Sequence, residues 1–259
     1  RNAYLQNLRT ANDTLGAIGI EAEQLEEGTA EIGFQIPRDL FHNNLEGLIK
    51  ELTAIKRIIR AFSELTVRTP QPIEVRQIST SDPLFFFGLD PATIVTLGAA
   101  VTWALATWQK VENIRKTRAE TQKIKSFTEE EIESFFGSKI KQTIAQEIEQ
   151  RTTELVGGHD GKAGRKEEQR TYLRWALESV LARIERGMTV EIRFLPPPKP
   201  TEQVADSTDD ESSGKEETFA RLQEIRPQLV FPTPEENPVL KLPPTEPKPK
   251  NEARSKSGE

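Results

Sequence analysis

Ser79, Thr80 and Ser81 set hydroxyls side by side just ahead of Asp82 and Pro83. A hydroxyl becomes a nucleophile for acyl transfer when a base stands within hydrogen-bond reach. The chain has only two histidines, His42 and His159, and neither lies near this cluster in sequence. Helix capping or turn formation is therefore the expected use of these hydroxyls. The loop Gly157, Gly158, His159, Asp160, Gly161, Lys162, Ala163, Gly164 invites comparison with a phosphate cradle. The comparison fails in detail: the first glycine of GxxxxGK would fall at Val156, Ala163 stands where a hydroxyl is required, and a helix rather than a strand leads into the loop. His159 and Asp160 lack further partners at metal-ligand spacing. Cysteine is absent altogether, which removes thiolate nucleophiles, Cys-based zinc sites and disulfides. Spacing alone selects no acid and base from 41 Asp plus Glu. No catalytic residue, cofactor or metal site is expected, and the chain reads as a non-enzymatic protein.

The elements around these residues carry more information. From Pro91 to Trp108 runs an uncharged stretch, PATIVTLGAAVTWALATW, in a chain with 29% charged residues. A bilayer core needs about 20 predominantly apolar residues in helical form. Extending the stretch back through Leu84 to Leu89 meets Asp90 and Pro91, and a carboxylate in lipid costs about 2.5 to 3.5 kcal/mol. Trp103 and Trp108, followed by Lys110, Arg115, Lys116 and Arg118, do have the order of an interfacial anchor with a basic flank. Gly98 with Thr102 supplies a small-xxx-small spacing for close helix contact. A helix apolar all round fits a protein core as well as lipid, and the core is the favoured expectation. With no break before residue 125, one helix is expected over 91–125, about 50 Å long at about 1.5 Å per residue. That length suggests a contact beyond its own domain, with Ile94, Leu97, Val101, Trp103, Leu105 and Trp108 as candidates for a partner interface or a membrane segment.

Around it, the spacing of Leu45, Leu48, Leu52, Ile55, Ile59 and Phe62 predicts an amphipathic helix over 45–65, capped by Asn43 or Asn44. Thr128 with Glu131 forms a capping box, and a helix is expected to follow to about Leu155. Residues 165–186 give a further helix, with Tyr172, Trp175, Ala176, Val180, Leu181 and Ile184 inward and Gly187 closing it. Three segments, AEIGFQIP, IEVRQIST and VEIRFLPP, read as short strands of one sheet. The middle one, 72–79, alternates imperfectly, which suggests cover on both faces. Residues 3–26 read as an interrupted helix.

Residues 196–259 hold 12 of the 17 prolines, 9 of the 35 Lys plus Arg and 13 of the 41 Asp plus Glu. Such a stretch buries too little apolar surface to offset its ordering entropy, so a disordered, Pro-rich, acidic tail is expected. Within it, Leu229, Val230, Phe231 and Pro232 form a candidate docking segment, and PPTEPKPK has polyproline character. The near-neutral remainder argues against nucleic-acid binding.

The expected organisation is an N-terminal helical segment, 1–28, an α+β, helix-dominated body with a three-strand sheet, 29–195, and the tail, 196–259. The expected function is protein interaction or assembly through the long helix and the tail, with a protein partner or a second copy. A membrane-associated effector or anchor inserting 91–108 is the alternative. No leader pattern opens the chain, and a cytoplasmic location is expected, with membrane association under the alternative.

Overall fold

The computed structural model describes residues 6, 7, 10, 11, 14, 25–67, 71–79, 83–122, 128–157, 163–198, 209–234 and 238–245. They form an α+β, helix-dominated fold around a small antiparallel sheet. In chain order the elements are β1 (Thr29–Gln35), α1 (Arg38–Phe41), α2 (Leu45–Thr66), β2 (Glu74–Ser79), β3 (Leu84–Gly88), α3 (Pro91–Thr121), α4 (Glu129–Gly157), α5 (Ala163–Ile184), β4 (Thr189–Leu195) and α6 (Asp209–Ile225), with a 3-10 turn at Arg226–Gln228. The interrupted helix expected over 3–26 lies largely outside the described residues; positions 6, 7, 10, 11 and 14 are helical.

The sheet has four strands, not three, in the order β2-β3-β1-β4. The added strand is Leu84-Phe85-Phe86-Phe87-Gly88, which as sequence looked like an extension of the apolar stretch. Asp90 and Pro91 separate the two by starting a helix. The Asp90 carboxylate accepts from the N–H of Ala92 at 2.9 Å and Thr93 at 3.4 Å. Pro91 sits in the first turn, where its missing N–H costs nothing.

In β3, Phe85 and Phe87 face inward opposite Phe34 and Ile32 of β1. Phe86 points to the other face and is still only 1% exposed. Its ring lies over Gly33, where a Cβ would come within 2.5 Å of it. The Arg193 guanidinium covers the ring from β4, 3.7 Å from its centroid. A glycine and an arginine together hide an aromatic ring on the outer face of the sheet.

β2 is not covered on both faces as its pattern suggested; Glu74 to Ile78 are all exposed. A bulge at Arg76 shifts the register, so that Val75 pairs with Phe87 and Ile78 with Phe85. An extra residue in one strand lets side chains three apart share a face, which is why the alternation looked irregular.

α3 is the spine. It touches α2, α4, α5, α6, β1 and β4, and so is apolar on every side that meets protein. The helix runs to Thr121, and residues 123–125 of the expected span lie outside the described residues. Gly98 lets Ile192 of β4 and Ile225 of α6 approach, each 3.0 Å from where a Cβ would be. The two sequence-legible caps are in place: the Asn44 side chain accepts from Gly47 N–H at 2.7 Å, and Glu131 N–H donates to Thr128 Oγ1 while Thr128 N–H donates to the Glu131 carboxylate at 3.0 Å.

Two stretches of the Pro-rich region depart from the disordered tail expected over 196–259. Residues 209–225 are helix α6, with Phe219 and Leu222 buried. Leu229, Phe231, Val239, Leu240 and Leu242 then pack partly buried against the core. Few apolar residues suffice here because the body presents a preformed surface, so the segment needs no core of its own. Residues 199–208, 235–237 and 246–259 lie outside the described residues.

Candidate functional site

Among the described residues, those that could do chemistry are not assembled into a centre. His42 is exposed in a left-handed turn between α1 and α2, with φ 50°. Ser79 ends β2, and Thr80, Ser81 and Asp82 lie outside the described residues, as do His159 and Asp160 in the α4–α5 connection. Among the described residues no group of three His, Cys, Asp or Glu could hold a metal ion.

The candidate contact residues of α3 are in the domain core. Ile94, Leu97, Val101, Leu105 and Trp108 are buried, and Trp103 is half-buried against the same core. By length and composition α3 could cross a membrane, but the described part of the protein already buries 56% of its most apolar window. The tail candidates divide. Leu229, Phe231 and Pro232 are half-buried and Val230 is exposed. Pro234 next to them rests on Gly187, which has a φ of 88° and where a Cβ would come within 3.0 Å of the proline ring.

The most elaborate polar constellation lies where residues 238–245, Pro-Val-Leu-Lys-Leu-Pro-Pro-Thr, cross the body. Glu185, in the turn after α5, is 1% exposed. Its carboxylate accepts the backbone N–H of Val239 at 2.7 Å and of Leu240 at 2.9 Å. Arg115 of α3 donates to the same carboxylate at 3.2 Å, and its guanidinium also lies 4.7 Å above the Trp108 ring. Arg186 donates to the Leu240 carbonyl oxygen. At the far end, Trp175 Nε1–H donates to the Pro244 carbonyl at 2.7 Å and Arg57 Nη1 to the Thr245 carbonyl at 2.6 Å. Tyr172 stacks on Trp175 with rings 10° from parallel and 5.8 Å apart.

Every hydrogen bond from the body to this segment goes to its backbone. Charge-assisted bonds to a buried carboxylate and from guanidinium groups are the stronger kind. Proline segments lack N–H groups but keep their carbonyls, and an indole N–H facing such a carbonyl fits that asymmetry. The body thus holds an extended, proline-bearing clasp by its main chain. The sequence marked the region but not the segment, placing the docking residues at 229–232, about ten residues early; Glu185 carries no signal that separates it from the other carboxylates.

Beside this cleft, α2 and α5 are tied by a buried ion pair. Arg183 donates from Nε and Nη2 to the two oxygens of Glu51 at 2.7 and 3.2 Å. This pair joins the two helices that carry Arg57 and Trp175.

A second surface lies at the open side of the sheet. Leu52, Lys56 and Arg60 of α2, with Ile73, Val75, Ile78, Phe85 and Phe87, line an apolar groove of about 350 Å³.

A comparison with protein families, with curated proteins and with solved structures finds no match for this chain.

Proposed function

We propose that this chain is a non-enzymatic interaction protein whose body takes up extended, proline-bearing segments, with its own residues 238–245 as the resting occupant. The observation that carries this reading is the backbone grip at both ends of the clasp: Glu185 on the N–H groups of Val239 and Leu240, and Trp175 on the Pro244 carbonyl. A cleft that binds main chain accepts any segment of the same backbone shape whose side chains fit, which is how proline-rich ligands are recognised in general. Partner segments and the clasp of a second copy are competitors for the same cleft. In this form the assembly function moves from α3, whose apolar side chains serve the core, to the Pro-rich region.

The membrane-anchor alternative draws on the length and apolar composition of α3. Insertion would have to strip that helix of the elements packed on it, so the interaction reading is the better supported.

The test is fluorescence anisotropy of a labelled peptide of residues 238–245 added to the full chain. The peptide should bind Leu240→Ser/Leu242→Ser, in which the resident clasp is weakened, with micromolar affinity. It should bind the unchanged chain at least tenfold more weakly, because a tethered clasp competes at an effective concentration on the order of millimolar. A folded variant that fails to bind the peptide overturns the reading. So does a variant that unfolds, since the clasp would then be an integral part of the core.

A further inference from the structure

The groove between α2 and β2 has no occupant among the described residues, and three observations specify what fits it. First, β2 has a strand neighbour on one side only, β3, so its outer backbone edge is open within the sheet. Second, the bulge at Arg76 brings Val75 and Ile78 to the same face, 55% and 56% exposed. Third, α2 presents a stripe of Leu45, Ile49, Leu52, Lys56 and Arg60 at three-and-four spacing beside its core stripe of Ile55, Ile58, Ile59 and Phe62, and Leu52, Lys56 and Arg60 line the groove. Leu45 and Ile49 are 67% and 54% exposed. Contiguous exposed apolar side chains of this kind beside a polar rim mark interaction surfaces.

The stripe changes character along its length, from Leu45, Ile49 and Leu52 to Lys56 and Arg60, both exposed. The lining of the groove contains no carboxylate, only these two cations, in a chain whose net charge is −6. A second copy seated face to face would bring the same two cations, so the rim disfavours it. We infer that this groove docks an extended segment of a partner protein that adds to the β2 edge as a fifth strand, sets apolar side chains against Val75, Ile78 and Leu52, and sets acidic side chains against Lys56 and Arg60. Strand addition supplies affinity through main-chain hydrogen bonds, and the groove supplies specificity through alternate side chains. Complementary charge at the rim sets the choice of partner. The site is distinct from the clasp cleft and does not depend on it.

The probe is a fluorescein-labelled decapeptide with the core Val-Thr-Ile-Thr-Val-Thr and paired glutamates at each end, titrated against the full chain at low salt. Its counterpart has lysines in place of the glutamates. The acidic peptide should bind, and the lysine-flanked peptide should bind at least tenfold more weakly. Lys56→Glu with Arg60→Glu, both at exposed positions, should invert that preference. Alternate N-methylation of the peptide backbone should abolish binding by blocking the ladder. The inference is overturned if neither peptide binds, if the reversed rim leaves the preference unchanged, or if N-methylation has no effect. It is also overturned if sedimentation reveals a dimer that Val75→Lys dissociates, because the occupant is then a second copy.

Discussion

Arg183 and Glu51, 132 residues apart in the chain, meet side by side in the interior through two hydrogen bonds, with side chains 4% and 7% exposed. Removing one partner strands the other's charge where water cannot reach it. Glu51→Ala should therefore cost about 3 to 5 kcal/mol, whereas replacing both by methionine should be near neutral or stabilising. Denaturant unfolding of the two variants checks this, and equal losses would contradict it.

The Gly33 and Phe86 contact should behave as a coupled pair. Gly33→Ala places a Cβ 2.5 Å from the Phe86 ring, and overpacking of this kind costs about 1 to 3 kcal/mol. Adding Phe86→Leu should recover part of that loss, so the double variant falls short of the sum of the singles. Thermal melting of the cycle reads the coupling directly.

Val101 is fully buried on the spine helix. Val101→Arg should unfold the body, a loss above about 4 kcal/mol, because it buries a charge with no partner. The comparison that matters is with liposome flotation of the unchanged chain. Failure to float, together with collapse of the variant's melting transition, assigns the helix to the core. Flotation that Val101→Arg abolishes without loss of folding assigns it to lipid.

Acid should loosen the start of α4. The Glu131 carboxyl is held below its usual range, chiefly by the backbone N–H of Thr128 and then by the Thr128 hydroxyl. A lowered folded-state pKa means the stabilisation is present above the unfolded value, about 4.3, and is lost as pH falls through the folded value. Thr128→Ala removes the hydroxyl and keeps the backbone N–H, so it should weaken that acid limb only in part while reducing stability near pH 7 by the missing cap. Hydrogen exchange of the first turn of α4, followed from pH 6 down to pH 3, measures it.

Much of the helical framework is legible from residue spacing, because caps and three-and-four stripes are local signals. Asn44 before Leu45 and Thr128 before Glu131 are of this kind. β3 was hidden because a strand buried along its length shows no alternation, and its five residues run toward an apolar helix. The bulge in β2 was equally hidden, since register is fixed by pairing with β3 rather than by β2's own residues. The Pro-rich region misled for another reason. Composition reports whether a segment can build its own core, and residues 209–234 and 238–245 borrow one. The candidate site was legible only in outline: Trp175 read correctly as an inward residue, but nothing local announces that Glu185 will face two main-chain N–H groups more than fifty residues away.

The clasp also orders events in time. Arg57 must wait through 188 residues of synthesis before the Thr245 carbonyl exists, and Glu185 through 54 before the N–H of Val239 does. Loop-closure entropy rises only slowly with such separations, so closure is affordable but cannot come early. Until then the Glu185 carboxylate remains hydrated, and its desolvation is deferred to the moment its amide partners arrive. The full drying of that carboxylate must therefore follow the synthesis of Val239 and Leu240.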